Sequence, residues 1–292
     1  MILDELNAQQ RKAAEIISGP VIVFAGAGSG KTRTLTYRIA NMIQNDINPH
    51  NILAITFTNK ATNEMRERLS VLVGDRASSL TISTFHSLCA RILRKEIPVL
   101  GYKRSFTIID DEDQLKIISE VLENNNIDKK QYTPKAIRKK LNHCKCFAIK
   151  SEIPLENTLF DKYEALMKEN NLLDFEDLLI KVQEILANYP DILARYRQIF
   201  KYILVDEFQD TDLYQYKILK LLAFEHRNLF VVGDDDQAIY GFRGSNYDNI
   251  KLFKADFNEY KSIILNQNYR STQTILESSN NLISNNEDRE KK

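Results

Sequence analysis

The chain has 292 residues, and its 40 acidic and 40 basic side chains give a formal net charge of zero. This length allows one large domain or two ordinary ones, while the neutral balance argues neither for nor against a nucleic-acid partner. The sequence contains no apparent secretory signal and no apolar run of membrane-spanning length. Three cysteines in so long a chain favour a reducing compartment over a disulfide framework, so we expect a cytoplasmic protein.

A candidate helix start lies near the N-terminus, where Leu6-Asn7-Ala8-Gln9-Gln10 precedes a short helical stretch. Asn7 is suited to cap that helix, because its side chain can accept hydrogen bonds from the first turn. Gln10 carries an amide that can pair with both the donor and the acceptor of an adenine edge. Its spacing alone leaves open both an adenine contact and a purely structural role.

An apolar run at residues 21–24 leads into a loop of small residues that is typical of a phosphate site. Small residues allow a tight turn whose N–H groups converge on a phosphate chain, and the helix predicted at residues 33–43 adds its dipole. We expect Lys31 to reach the β- and γ-phosphates and the Thr32 hydroxyl to bind Mg²⁺. The loop departs from the general pattern in opening with alanine instead of glycine. The candidate nucleotide contacts are Ala25, Gly26, Ala27, Gly28, Ser29, Gly30, Lys31, Thr32 and Arg33.

Two further predicted strands end in aromatic and polar residues. Residues 52–56 lead to Phe57 and Asn59, and ligands bind at the carboxyl ends of strands in α/β sheets. These side chains could stack on a base and contact a single strand, or Phe57 could belong to the core. Residues 80–83 lead to His86, which by itself is more typical of a hydrogen-bonded structural histidine than of a catalyst.

The composition changes between about residues 92 and 200, where Glu, Lys and Asn dominate and amphipathic helices replace strands. We therefore predict a helical insertion within an α/β core. A basic cluster in this region is either a solvated helix face or a contact surface for nucleic-acid phosphates. Its members are Lys135, Arg138, Lys139, Lys140, Lys145 and Lys150.

An acidic pair, Asp206 and Glu207, follows the apolar strand predicted at residues 202–205. Hydrolysis of a nucleoside triphosphate needs one carboxylate for Mg²⁺ and one to take a proton from the attacking water. We assign Asp206 to the metal and Glu207 to the water. Two carboxylates at this point could instead cap a helix, but Lys31 and Thr32 in the same chain favour the catalytic interpretation.

The strand predicted at residues 229–232 is followed by Gln237, which is placed to respond to a γ-phosphate. A run of aromatic and cationic residues comes next. Tyr240, Phe242 and Arg243 in this run suit stacking on the bases of a single strand.

Several of these segments, taken in order, resemble the motifs of superfamily 1A DNA helicases of the UvrD/Rep/PcrA group, and its PcrA members most. The match is specific because the motifs are independent of one another. They read Leu-Asn-Ala-Gln-Gln, Ala-Gly-Ala-Gly-Ser-Gly-Lys-Thr, Thr-Phe-Thr-Asn-Lys-Ala, Thr-Phe-His-Ser, Val-Asp-Glu-Phe-Gln-Asp-Thr, Val-Gly-Asp-Asp-Asp-Gln-Ala-Ile-Tyr and Gln-Asn-Tyr-Arg-Ser-Thr.

The resemblance implies a fold of the α/β class, in which a RecA-like P-loop NTPase domain with a parallel sheet is interrupted by an all-helical subdomain. Residues 1–94 and 199–268 are then the RecA-like core, and residues 95–198 are the insertion. Residues 269–292 would begin a second RecA-like domain that is truncated here.

The resemblance also implies roles for individual residues. Gln10 and Tyr269 would hold adenine with Arg38 near it, Gln237 would sense the γ-phosphate, and Arg270 would be one of two arginine fingers. The catalytic set is then Lys31, Glu207, Gln237 and Arg270. Contacts with single-stranded DNA are implied for Phe57, Asn59, His86, Tyr240, Phe242 and Arg243. The family usually has tryptophan where this chain has Phe242, which keeps a stacking face but loses the indole N–H.

The expected cofactors are ATP and Mg²⁺, and the expected partners are single-stranded DNA and its junctions with duplex. The resemblance further implies 3′-to-5′ translocation and unwinding in DNA repair or replication, by a monomer that works with repair accessory proteins. The alternative is a module that binds nucleotide and single-stranded DNA with little turnover of its own. A P-loop phosphotransferase acting on a small molecule is a third hypothesis, but nothing in the loops suggests a site for its acceptor.

Overall fold

The computed structural model describes residues 2–237 and 248–283, and the apolar runs of these segments form strands. The eight described strands are β1 Val21–Ala25, β2 Ile52–Thr56, β3 Thr81–Thr84, β4 Thr107–Ile108, β5 Leu172–Leu173, β6 Tyr202–Val205, β7 Leu229–Gly233 and β8 Lys261–Leu265. Six of them form one parallel sheet in the order β3-β2-β6-β7-β1-β8.

Twelve α-helices are present in the same described segments. They are α1 Ala8–Glu15, α2 Lys31–Gln44, α3 Asn59–Val73, α4 Phe85–Glu96, α5 Asp111–Asn124, α6 Pro134–Phe147, α7 Pro154–Glu169, α8 Phe175–Asn188, α9 Pro190–Ile199, α10 Leu213–Ala223, α11 Asp248–Asp256 and α12 Gln273–Ile283.

The central strands of the sheet are largely apolar. Every residue of β1, β2 and β7 is buried, which is the pattern of a parallel sheet covered on both faces. Because all six strands run in the same direction, their carboxyl ends meet at one edge, where ligands bind in folds of this kind. The P-loop follows β1, the acidic pair follows β6, and β7 lies between these two strands.

The described residues form two compact units. The first holds the six-stranded sheet and comprises the residues up to Phe85, Leu193–Thr211 and those from Leu219 onward. The second comprises His86–Ile192 and Asp212–Ile218. The boundaries expected from the sequence, after residues 94 and 198, stay predictions, as does a second RecA-like domain starting at residue 269.

The second unit is helical except for the short pair β4 and β5. Its apolar core includes Ile118, Leu122, Leu159 and Tyr163, which are at most 2% exposed. The fold therefore agrees with a parallel α/β domain interrupted by a helical subdomain.

A buried cation lies inside this second unit. The Lys145 side chain on α6 is 10% exposed, and its Nζ lies 2.6 Å from Asp174 Oδ2 and 2.9 Å from Asp177 Oδ1. It also pairs with Glu164, while the Tyr163 hydroxyl donates to Asp174 Oδ2. Burial lowers the pKa of Lys145, but the three carboxylates outweigh burial and hold it well above its usual value.

For Lys145, both interpretations of the basic cluster are therefore wrong: its side chain is not solvated, and it is not available to contact a phosphate. Two other members are also paired within the unit. Arg138 forms an ion pair with Asp111 at 2.9 Å and Lys140 one with Glu156 at 3.0 Å. The sequence pattern missed these pairs because the acidic partners lie on other helices.

Among the described helices, we find none whose length and apolar character would suffice to span a membrane.

We expect Lys145→Met to destabilise the chain strongly, because it leaves buried carboxylates without their cation. Removing one member of a buried ion pair typically costs about 3–5 kcal/mol. The free energy of unfolding in urea, followed by circular dichroism, measures this loss. Lys139→Met changes an exposed lysine on the same helix and serves as the control. Equal stability of the two variants would contradict a structural role for Lys145.

Candidate nucleotide site and nucleic-acid contacts

The P-loop ends where α2 begins. Gly30 is the N-cap of α2 and has a φ of 87°, a left-handed conformation that glycine adopts without strain. A Cβ at this position would lie 2.5 Å from Gln10 Nε2, so the close approach of Gln10 also requires glycine. The Ser29 hydroxyl donates to the Gly26 carbonyl at 2.7 Å and tightens the turn. The first-turn N–H groups of α2 are thus available at the loop, as anion binding requires.

Gln10 is fastened to the P-loop. Its Nε2 donates to the Ser29 carbonyl at 2.9 Å, and Gln10 is only 2% exposed. Asn7 caps α1 and forms a reciprocal capping box with Gln10. The Asn7 Nδ2 also donates to the Tyr269 hydroxyl at 2.7 Å. The structural role of Gln10 is therefore direct, and its contact with adenine stays a prediction.

The segment after β8 lies against the same loop. The Tyr269 N–H donates to the Gly28 carbonyl at 2.9 Å, and the Asn268 side-chain amide donates to the Ala27 carbonyl. The side chain of Arg270 also lies close, since a Cβ on Gly28 would be 2.5 Å from Arg270 Cβ. The structure thus brings Tyr269, which is 57% exposed, and Arg270 to the P-loop.

The acidic pair after β6 meets the start of α2. The Thr32 hydroxyl donates to Asp206 Oδ2 at 3.1 Å, and Lys31 Nζ lies 3.3 Å from Glu207 Oε2. Glu207 has a φ of 50°, a left-handed conformation that is strained for a residue with a side chain. Four residues predicted from two distant motifs are therefore neighbours.

The electrostatics of Asp206 suit a cation ligand. Burial, followed by the adjacent charge of Glu207, raises the pKa of Asp206 to about 6. A divalent cation beside this carboxyl would favour its ionised form. The Thr32 hydroxyl and the Asp206 carboxylate are oxygen ligands of the kind that Mg²⁺ prefers. The donor set therefore fits the magnesium site expected from the sequence.

Gln237 is joined to the end of β7. Its backbone N–H donates to the Asp234 carbonyl at 3.0 Å, and its side-chain amide donates to the Asp234 carboxylate. Gln209 bridges this region to the acidic pair: its Nε2 donates to Glu207 Oε2 at 2.8 Å, and its Oε1 accepts from the Asp234 N–H at 2.9 Å. Gln209 stands only two residues beyond Glu207, yet its position in the sequence did not indicate this bridging role.

The two arginines of α2 have partners within the fold. Arg33 donates to the carbonyl and the carboxylate of Glu5. Arg38 is 2% exposed and donates to the carbonyls of Ala13 and Ile17 at 3.1 and 2.9 Å. Burial lowers the pKa of Arg38 to about 9. Arg38 thus has a structural role here, and nucleotide contacts of Arg33 and Arg38 stay predictions.

Two of the expected DNA contacts follow β2. Phe57 is 37% exposed at the carboxyl end of this strand, so it does not belong to the core. Asn59 is the exposed first residue of α3, which Thr58 caps by accepting from the Ala61 N–H at 3.0 Å. An exposed aromatic ring beside a helix start is a suitable platform for a base.

His86 lies in the second unit and stacks on Phe175. Their ring centroids are 3.8 Å apart with an interplanar angle of 15°, and Phe175 is 55% exposed. Burial lowers the pKa of His86 to about 4, so the imidazole is neutral near pH 7. Phe175 has no distinctive sequence signal, and its exposure is evident only from the structure.

The remaining expected DNA contacts, Tyr240, Phe242 and Arg243, lie outside the described residues.

A parallel sheet, a glycine-rich loop between its strand and helix, and an acidic pair beside that loop define a fold of the P-loop NTPase class. Residues 6–258 match the family model of the UvrD/REP helicase N-terminal domain. The chain belongs to this family.

Individual relatives agree with this assignment. The chain is 45% identical to the ATP-dependent DNA helicase PcrA of Staphylococcus aureus over 302 aligned residues, and 43% identical to that of Staphylococcus epidermidis. Each alignment covers 100% of this chain and 41% of the relative. The chain thus spans about two fifths of the length of these relatives. The resemblance stated from the motifs is confirmed at the level of the family.

We expect His86 to make stability pH-dependent below neutrality. The unfolded chain protonates histidine near pH 6.5, whereas the folded chain does so only near pH 4, so stability falls as pH decreases between these values. The free energy of unfolding should drop about 1–2 kcal/mol more between pH 7 and pH 5 in wild type than in His86→Gln. The exposed His143 provides the control, as His143→Gln. Parallel pH profiles of wild type and His86→Gln would contradict this assignment.

Proposed function

We propose that this chain is the ATP-binding part of an ATP-dependent DNA helicase and that it hydrolyses ATP at the carboxyl edge of its sheet. The observation that carries the proposal is the contact between the start of α2 and the acidic pair. The Thr32 hydroxyl lies 3.1 Å from Asp206 Oδ2, and Lys31 Nζ lies 3.3 Å from Glu207 Oε2. The similarity to PcrA, an ATP-dependent DNA helicase, supports the same activity.

The proposed reaction divides the work among few side chains. Thr32 and Asp206 would hold Mg²⁺, which supplies charge neutralisation on the phosphate oxygens when bound. The P-loop N–H groups and Lys31 bind the phosphate chain. Glu207 accepts the proton of the attacking water, while Gln237 responds to the γ-phosphate.

Arg270 is the proposed arginine finger. Its backbone is held near the P-loop through Asn268, which accepts from the Arg270 N–H at 2.8 Å. A guanidinium at the γ-phosphate stabilises the charge that develops during phosphoryl transfer, an effect of about 10³–10⁵ in related enzymes. Gln10 and Tyr269 would bind the adenine end of the same nucleotide, with Arg33 and Arg38 as the further proposed nucleotide contacts.

We propose single-stranded DNA and its junctions with duplex as the polymer substrate. Exposed Phe57 and Asn59 support this in the first unit, and the His86–Phe175 stack supports it in the second. Translocation from 3′ to 5′, a role in repair or replication, action as a monomer and recruitment by accessory proteins rest on the family resemblance. A partial-duplex substrate with either a 3′ or a 5′ overhang tests the direction in the full-length protein.

We expect Glu207→Gln to retain binding of Mg²⁺ and ATP but to lose hydrolysis, because the metal ligand stays while the base is removed. Removal of a general base typically costs about 10²–10⁴ in rate. Single-turnover hydrolysis with excess protein measures the loss, with Lys31→Ala as the blank. Glu259→Gln makes the same change at an exposed position and is the matched control. Unchanged hydrolysis in Glu207→Gln would show that the base is another group.

The same measurement distinguishes an ATPase from the alternative, a module that binds nucleotide and single-stranded DNA with little turnover. ATP binding by wild type at a hydrolysis rate equal to that of Lys31→Ala would identify a binding module with little turnover. The extensive contacts of Asn268 and Tyr269 with the P-loop would then serve nucleotide binding without catalysis.

We expect Phe57→Ala to weaken binding of single-stranded DNA about tenfold at unchanged ATP affinity, because base stacking on an aromatic ring contributes about 1–3 kcal/mol. Fluorescence anisotropy of a labelled oligothymidine and titration of a fluorescent ATP analogue measure the two affinities. Phe224→Ala removes another ring that is 49% exposed and serves as the control. An equal loss of DNA and ATP binding would mean that Phe57 acts through the fold.

A further inference from the structure

Gln209 lies in the short turn Phe208–Asp210 after the acidic pair, and it is 4% exposed. Both ends of its amide are bonded. Its Nε2 donates to Glu207 Oε2 at 2.8 Å and to Asp210 Oδ2 at 3.2 Å, and its Oε1 accepts from the Asp234 N–H at 2.9 Å. A buried amide with all these contacts satisfied has a defined orientation.

These bonds continue beyond Asp234. The Asp234 carboxylate accepts from the Gln237 side-chain amide. A continuous path of hydrogen bonds therefore runs Glu207–Gln209–Asp234–Gln237. It crosses from the end of β6 to the end of β7, two strands that pair directly in the sheet.

The end of β7 is shaped to receive this amide. A Cβ on Gly233 would lie 2.8 Å from Gln209 Oε1 and 3.3 Å from the Gln209 backbone nitrogen. Any side chain at Gly233 would therefore displace Gln209 from Asp234. The amide itself is also needed. A glutamate in place of Gln209 could accept from the Asp234 N–H but could not donate to Glu207, and its charge would lie beside the carboxylates of Glu207 and Asp210.

The same path fixes the orientation of Glu207. Lys31 Nζ and Gln209 Nε2 both approach Oε2 of this carboxylate, at 3.3 and 2.8 Å. The two oxygens of a carboxylate diverge, so donors that converge on Oε2 leave Oε1 directed away from them. With Lys31 engaged by the phosphate chain, Gln209 would still hold Oε2, and Oε1 would face the attacking water.

We propose that Gln209 is a positioning residue that orients Glu207 and links it to the Asp234–Gln237 segment, so that hydrolysis depends on the state of that segment. This inference rests on the proposed ATPase function. Gln209 touches neither water nor phosphate in this role, and it acts through Glu207. The role predicts a loss in kcat with little change in the KM for ATP.

The first test compares Gln209→Leu and Gln209→Glu with wild type and with the blank Lys31→Ala. We expect kcat to fall about tenfold or more in both Gln209 variants, since small misplacement of a catalytic group costs up to about 10²-fold. KM should stay within about twofold. Gln215→Leu alters another buried glutamine, whose Oε1 accepts from the Asp212 N–H, and should keep the wild-type kcat.

Two variants separate positioning from general damage. Gly233→Ala retains the Gln209 side chain but obstructs its site, so it should reproduce the kcat loss. In the double variant Gln209→Leu/Gln237→Ala, the kcat loss should be clearly smaller than the product of the single losses, because both changes break one path. Amide hydrogen exchange should also show faster exchange of the Asp234 N–H in Gln209→Leu.

The outcomes are distinct. A wild-type rate equal to that of Lys31→Ala overturns the proposed ATPase function and this inference with it. A wild-type rate above that blank, with equal kcat in Gln209→Leu, overturns this inference alone. Multiplicative losses in the double variant, or unchanged exchange at Asp234, overturn the link to Gln237.

Discussion

The contact of Lys31 and Thr32 with Asp206 and Glu207 is the constraint on which the site depends. It joins a helix start after β1 to a loop after β6, and these strands are separated in the sheet by β7. Parallel strand direction makes this meeting possible, since it brings the carboxyl ends to one edge. This arrangement places two carboxylates side by side, one of them buried, which is unfavourable and raises the pKa of Asp206. The Lys31 ammonium offsets part of that cost, and a bound Mg²⁺ would offset more.

Much of this site could be predicted from local sequence. The P-loop and the acidic pair each combine an apolar strand with a few chemically distinctive residues, and strands predicted at residues 52–56 and 202–205 have the same bounds in the structure. Family membership is likewise shown by the match over residues 6–258. These features are local, so a short window of sequence contains the information they need.

The contacts that the sequence did not indicate are those between distant segments. Arg38 looks like an available cation on a helix, yet it lies beneath the surface with the Ala13 and Ile17 carbonyls. Gln209 looks like a linker between acidic residues, yet it connects two strands. Lys145 belongs by sequence to a basic cluster, yet its partners come from α7 and from the N-terminal end of α8. A linear pattern cannot specify such pairs, because tertiary packing selects the partner.

Buried acidic groups therefore have different roles in the two units: they are structural in the second and suited to a ligand in the first. Glu164, Asp174 and Asp177 lie close enough together to suggest a metal site, but the Lys145 ammonium lies within 2.9 Å of both aspartates and also pairs with Glu164. The ammonium therefore already occupies the place among these carboxylates that a metal ion would take. Asp206 and Glu207 lie instead beside a loop of backbone donors, where a nucleotide and its metal would complete the balance. An acidic cluster that encloses a lysine ammonium is thus structural, whereas an acidic pair beside a loop of backbone donors suits a ligand, even where the two contain the same residue types.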